Sequence, residues 1–307
     1  MSPKDREPAA GEPREEPAAL AELERERESI EAGGIPLKGL QRLRELREHG
    51  GSFTSDLSVN GFALCHRLGL KPLSQVMGSS IYQVGYQGAT WPMMMGGSVL
   101  SELSMLSEAW NEVRRRAFNR LELEARQVGA DAVVGVALRT AAHDWAEGAI
   151  EYVVMGTAVK RAGAESGEQP VMTELSVSDY AKLVQAGVEP VGIVAWTSVF
   201  FAAYENNWLM GSSRMNPVQN FELREFTAGV YGAREQVMAR LGQQAQQHGA
   251  SGIVGVRIGH TIRRQDVGSA NRSRGGVVIT FDAIGTAVRE NAGSPQQAPK
   301  TIVDLTT

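Results

Sequence analysis

The chain has 307 residues, a formal charge of -4, 42% hydrophobic residues and one cysteine. That length holds two ordinary domains, and the apolar fraction excludes wholesale disorder. The slightly acidic balance argues against a globally basic nucleic-acid binder, and one cysteine excludes an intramolecular disulfide framework.

The opening residues lack the apolar core of a signal peptide. No stretch reaches the roughly 18 apolar residues of a spanning helix; the nearest, 191–203, is broken by Gly192, Thr197 and Ser198. The expectation is a cytoplasmic protein with no membrane span. Residues 1–50 carry 21 of the 66 charged side chains and form a charged N-terminal arm. Its first 16 residues, rich in proline and acids, are expected to stay disordered. A helix is predicted over 18–30, stopped by Gly33 and Gly34, and a second after Pro36 carries Leu37, Leu40, Leu43 and Leu46. The arm is expected to pack on its own domain, with partner binding as the alternative.

The region between the arm and a flexible tail at 292–307 is a duplication. Laid over 175–198, residues 57–80 agree at 8 of 24 positions; laid over 237–256, residues 117–136 agree at 9 of 20. The Gly-Thr-Ala-Val that starts at Gly156 recurs at Gly285. The shifts are 118, 120 and 129, in unbroken order, as small loop insertions would require.

Within each copy, Ser58 or Ser176 caps a short helix that Gly69 or Gly187 ends. Apolar runs at 73–82 and 191–201 read as buried strands. A long helix follows in each copy. Val99, Leu103, Leu106, Trp110, Val113, Ala117 and Leu121 mark its apolar face in the first, and Leu223 to Ala245 repeat it. Gly129 and Gly249 end these helices, and antiparallel hairpins close the copies: 131–140 with 150–160, and 251–261 with 276–289. The fold class is α+β, two repeated domains at 51–162 and 171–291, each a small sheet packed on a long helix.

The helix ending in Gly129-Ala-Asp-Ala-Val-Val-Gly-Val, followed by a hairpin ending in Gly156-Thr-Ala-Val-Lys, resembles the YbjQ-like heavy-metal-binding family. The second copy repeats the pattern at 249–256 and 285–289, with Ser251-Gly252 in place of Asp131-Ala132. Members of that family are usually single short domains, so the tandem form is a departure. The resemblance implies a small α+β fold that assembles into closed rings, typically pentamers, and supplies no catalytic activity.

Metal ligands are sparse. Cys65 and His66 are adjacent on a helix and point about 100° apart, so Cys65 reads as a core thiol. His49 and His248 precede glycines, where an imidazole can satisfy helix-terminal carbonyls; His143 reads as a solvated hairpin tip and His260 as a strand residue. The weak candidates for a soft metal ion are Met93, Met94 and Met95 beside Trp91, with Met210 and Met215 near Trp208. A site on a ring axis needs one ligand per subunit, so the count per chain is not decisive.

No nucleophile-elbow, phosphate-loop or metalloprotease signature occurs in the chain. Arg263, Arg264, Arg272 and Arg274 crowd the second hairpin, read as a mobile basic loop that is simply solvated, with contact to an anionic partner as the alternative. The resulting reading is a non-enzymatic oligomeric scaffold or binding module. The alternatives are a metal-handling protein using methionines or an axial site, and an enzyme with a subunit-interface site. Self-association into five chains is expected, ten domains in two tiers. The arm or the tail would contact a further protein, and no cofactor is expected.

Overall fold

The computed structural model describes residues 15–49, 53–84, 100–142, 149–163, 169–203, 222–269 and 272–290. Two helices come first, α1 (Glu15–Glu31) and α2 (Leu37–His49). The first copy then runs α3 (Val59–Arg67), β1 (Leu70–Gln83), β2 (Leu100–Glu102), α4 (Ser104–Gln127), β3 (Ala132–Ala142) and β4 (Ala149–Arg161). The second runs β5 (Val171–Met172), α5 (Val177–Gln185), β6 (Val188–Ala203), α6 (Arg224–Gln247), β7 (Gly252–Ser269) and β8 (Arg272–Glu290). The α+β expectation holds, twice over.

The local signals act as their chemistry dictates. Ser58 Oγ accepts from Gly61 N at 3.1 Å, and Ser176 Oγ from Asp179 N at 3.2 Å. Those bonds satisfy donors that a helix leaves orphaned. Gly69, Gly187, Gly129 and Gly249 all take positive φ where their helices stop. Both long helices span 24 residues, and each begins at Ser104 or Arg224 rather than at the leucine before it.

The copies are related residue by residue. Glu124 of α4 accepts from Met77 N of β1 at 2.8 Å. Gln244 of α6 accepts from Ala195 N of β6 at 3.0 Å. The strand shift is 118 and the helix shift 120, as the sequence comparison requires. In the first copy α4 lies close on its sheet: a Cβ on Gly78 would run into the backbone of Ala117 and Leu121. Val113, Ala117, Leu121 and Ala125 bury against Val76, Val133, Ile150 and Val154. Ala233, Val237, Leu241 and Ala245 do the same against β6 and β8.

Each sheet has four strands, ordered β1-β4-β3-β5 and β2-β6-β8-β7. The chain therefore exchanges edge strands between its copies. β5, at the start of the second copy, joins the first sheet, and β2 of the first copy joins the second.

The arm packs on the first copy. Arg120 of α4 donates to the carbonyls of Ile30 and Gly34, both at 3.0 Å, and Arg42 of α2 lies 3.5 Å from Glu124. Burial pushes the Glu124 carboxyl up; the Met77 N–H and Arg42 only partly offset it. A carboxyl raised in the folded state favours folding while protonated and loses that contribution as pH rises through its folded value. Glu124→Gln, which matches Gln244, should therefore be more stable than the parent at neutral pH. In urea titrations the two midpoints should converge as pH falls below the ordinary carboxylate value of 4.5.

Candidate functional site

The most elaborate polar construction among the described residues is the joint between the copies. β2 lies antiparallel on the outer edge of β6, Ser101 opposite Phe201. Past β2, the Leu103 backbone and then side chains of α4 take over the pairing. Leu103 N donates to Val199 O at 2.7 Å, and Ser107 Oγ accepts from Val199 N at 2.9 Å. One helical turn on, Asn111 Oδ1 accepts from Thr197 N at 3.0 Å while its Nδ2 donates to Thr197 O at 2.8 Å. A carboxamide offers a strand edge a donor and an acceptor on separate atoms without carrying charge. Spacing of four keeps Ser107 and Asn111 on one helix face.

Arg114 completes the row. Its Nη1 donates to Thr197 Oγ1 at 3.2 Å, its Nη2 reaches Asn111 Oδ1, and it lies 5.9 Å from the Trp196 ring. Tyr152 reaches the same threonine hydroxyl at 3.0 Å and sets its ring edge-on to Trp110. Burial lowers the Arg114 guanidinium, opposed by Tyr152 and Asp282, and raises the Tyr152 phenol and the Asp282 carboxyl. The guanidinium stays charged, held by hydrogen bonds and an aromatic face.

The reciprocal half is built from β5. It adds in parallel to β3, Ala132 opposite Val171 and Val133 opposite Met172. Beyond it, Val136 N donates to Thr173 O and Gly135 N to Leu175 O, both at 3.0 Å. Val177 and Tyr180 of α5 then pack on Cys65, Leu70, Ala132, Val134 and Val159 of the first copy. Glu174, its carboxyl raised by burial, meets Arg257 of the same copy at 2.9 Å, and Arg257 Nη2 donates across the joint to the Val136 carbonyl at 3.4 Å.

Cys65 is fully buried in that cluster, so the core-thiol reading holds, and burial raises its thiol. His66 is edge-on to Phe62 at 4.8 Å. The carbonyl-capping expectation for His248 gives way to packing: its imidazole lies over Gly192, 3.4 Å from where a Cβ would stand. His143, the His49 side chain, Met93, Met94, Met95, Met210 and Met215 lie outside the described residues. No group of three His, Cys, Asp or Glu gathers to hold a metal among those described.

The basic loop expectation is corrected. β7 and β8 continue as a paired ribbon to Ser269 opposite Arg272, so Arg263 and Arg264 sit on a strand and are exposed. Arg272 and Arg274 belong to the partner strand, their side chains outside the description. Alternation along the whole run would have revealed the longer strand, but arginine and glycine masked it. Ser107, Asn111 and Arg114 were missed as functional residues because polar positions on a helix read as a solvated face.

Asn111→Ala would leave the Thr197 N–H and C=O unpaired inside the joint, at about 1–3 kcal/mol for each group. Chemical denaturation should show that loss, with the helix content of the folded state unchanged.

Comparison with known proteins follows the same division. The family described as "Putative heavy-metal-binding" (YbjQ) matches residues 71–162 and again 211–291. An encapsulin nanocompartment protein of Mycobacterium tuberculosis is 34% identical over 83% of this chain and 92% of its own length. A UPF0145 protein of Clostridium novyi is 40% identical over 30% of this chain and 85% of its own, and one of Thermosipho africanus 33% identical over 35% and 92%. The last two correspond to a single copy. Among solved structures, none matches at a significant level. No helix among the described residues is long and apolar enough to cross a membrane. With both copies matched, and with a relative aligned along most of its length, the chain belongs to the YbjQ family and carries its domain twice.

Proposed function

We propose that this chain is a non-enzymatic, cytoplasmic structural protein that self-assembles and serves as a building unit of a protein nanocompartment. One observation carries the reading: the buried polar side chains at the joint are spent on holding two family domains together. Asn111, Ser107 and Thr197 meet one another or a strand edge, so these polar groups are engaged in the seam itself. The similarity to the mycobacterial nanocompartment protein, over nearly its full length, supports the same reading. In this proposal the units are 51–162 and 171–291, each lending an edge strand to the other.

The arm supports contact with a second protein, since Leu20 and Leu23 of α1 are exposed. Arg263 and Arg264, exposed near the end of the ribbon, are the proposed contact for an anionic partner. Such binding should weaken as salt rises, and Arg263→Ala with Arg264→Ala should remove that salt dependence in a titration series.

Native mass spectrometry and light scattering of the purified chain test the central proposal. Particles of several chains are expected at micromolar concentration. A uniform 33.1 kDa species would overturn it.

A further inference from the structure

The internal joint covers one face of each copy; among the described residues the opposite faces are open, apart from the Arg120 contact to the Ser79 carbonyl of β1. Val177 of the second copy is 2% exposed, yet its equivalent in the first, Val59, is 85% exposed. Val199 is fully buried under α4, yet its equivalent Ile81 is 57% exposed. On the other face, Asn111 is 8% exposed and its equivalent Tyr231 61%. Every contrast has the same sense: what is sealed inside the chain is bare at its ends. Among the described residues, β1 and β7 are the outer strands left without an exchanged neighbour.

The missing strand is already in place. Thr54 corresponds to Met172 of β5, and its carbonyl is held by Gln75 N at the start of β1. Phe53, beside it, stacks on Phe62 at 5.6 Å. The segment is thus set against its own copy, as β5 is set against β6, with no strand on its far side among the described residues. On β7, Gly252 and Ile253 correspond to Ala132 and Val133, the positions that receive β5 in the first copy.

We propose that a second copy of this chain fills both open faces at once, through a joint equivalent to the internal one. Phe53 and Thr54 of one chain add in parallel to β7 of the next at Gly252 and Ile253. Val59 and Phe62 pack on that neighbour's Leu183, Val188 and Val254. The neighbour's Leu223 and Tyr231 lie along β1 at Ile81. The proposal rests on the self-assembly reading, and it specifies which surfaces meet.

One polar contact changes character in the second joint. Glu102 accepts from Ser198 at 3.2 Å and from Gln236 at 3.3 Å. The equivalents are Glu222, Ser80 and Arg116, so a neutral amide becomes a cation. Repeated head to tail, the joint alternates first and second copies within one layer, and n chains bring 2n domains to it. That departs from the two tiers expected from the sequence.

Two variants test the joint against the wild-type mass. Val59→Asp puts a charge on a side chain already in solvent, so the chain should keep its native circular-dichroism spectrum and a cooperative unfolding transition yet fall to 33.1 kDa. Met105→Asp, also exposed but at the start of α4, should keep the wild-type mass. Thr54→Cys with Ile253→Cys should give a ladder of cross-linked chains on mild oxidation, which neither single variant gives; Cys65 is buried and does not compete. An oligomeric wild type whose Val59→Asp variant stays assembled and whose cysteine pair never links chains would overturn this joint and leave self-assembly standing. A monomeric wild type would overturn both.

Discussion

The outward-facing N–H and C=O groups of β6 govern the architecture. A strand edge left bare is a template for any other chain, and an edge buried without partners costs free energy at every residue. Here the edge is met at each alternate position: Gln244 at Ala195, Asn111 at Thr197, Ser107 and Leu103 at Val199, and β2 at Phe201. Two helices and a three-residue strand thus do what a full neighbouring strand would do. The arrangement makes α4 serve two purposes. Val113, Ala117 and Leu121 face its own core, while Ser107, Asn111 and Arg114 face the other copy.

The same edge device operates in both copies, with residues adjusted to the surroundings. Where Gln244 bonds both the N–H and C=O of Ala195, Glu124 accepts from Met77 N and leans on Arg42 of the arm. A carboxylate cannot donate, so Glu124 does not repeat the bond that Gln244 gives the Ala195 carbonyl, and the same carboxylate oxygen meets the arm's cation instead. Arg120 similarly binds the Ser79 carbonyl together with two carbonyls of the arm. The arm is therefore integrated into the first copy's edge, which explains why its leucines are not the whole of its docking.

Much of this was legible because the matching residues are constrained by backbone geometry. Gly135 and Gly255 both take positive φ at the bulges of β3 and β7. Gly156 and Gly285 both sit where a Cβ would press on a facing side chain, Val133 or Ile253. Such glycines resist replacement in either copy, so duplication, helix ends and hairpins could be read from the sequence. The joint could not. β5 has two residues and β2 three, too few for any period to register. Arg114 and Asn111 give no local sign that their partner, Thr197, lies more than eighty residues away.

Divergence between the copies gives the tandem arrangement a physical purpose. A lone domain that joins its like head to tail must use one and the same joint for every contact. With two linked copies, the internal joint is assembled at the high effective concentration that covalent linkage provides, and its residues can specialise for permanence. Buried Asn111 and Arg114 suit that joint, because their polar groups are costly to uncover once paired. At the equivalent positions the second copy carries Tyr231 and Arg234, both exposed. An aromatic ring and a flexible cation tolerate water in the free chain and would still provide contact area in the proposed joint. Residues that must wait in solvent and residues that never leave the interior need different chemistry. The two copies differ along that line.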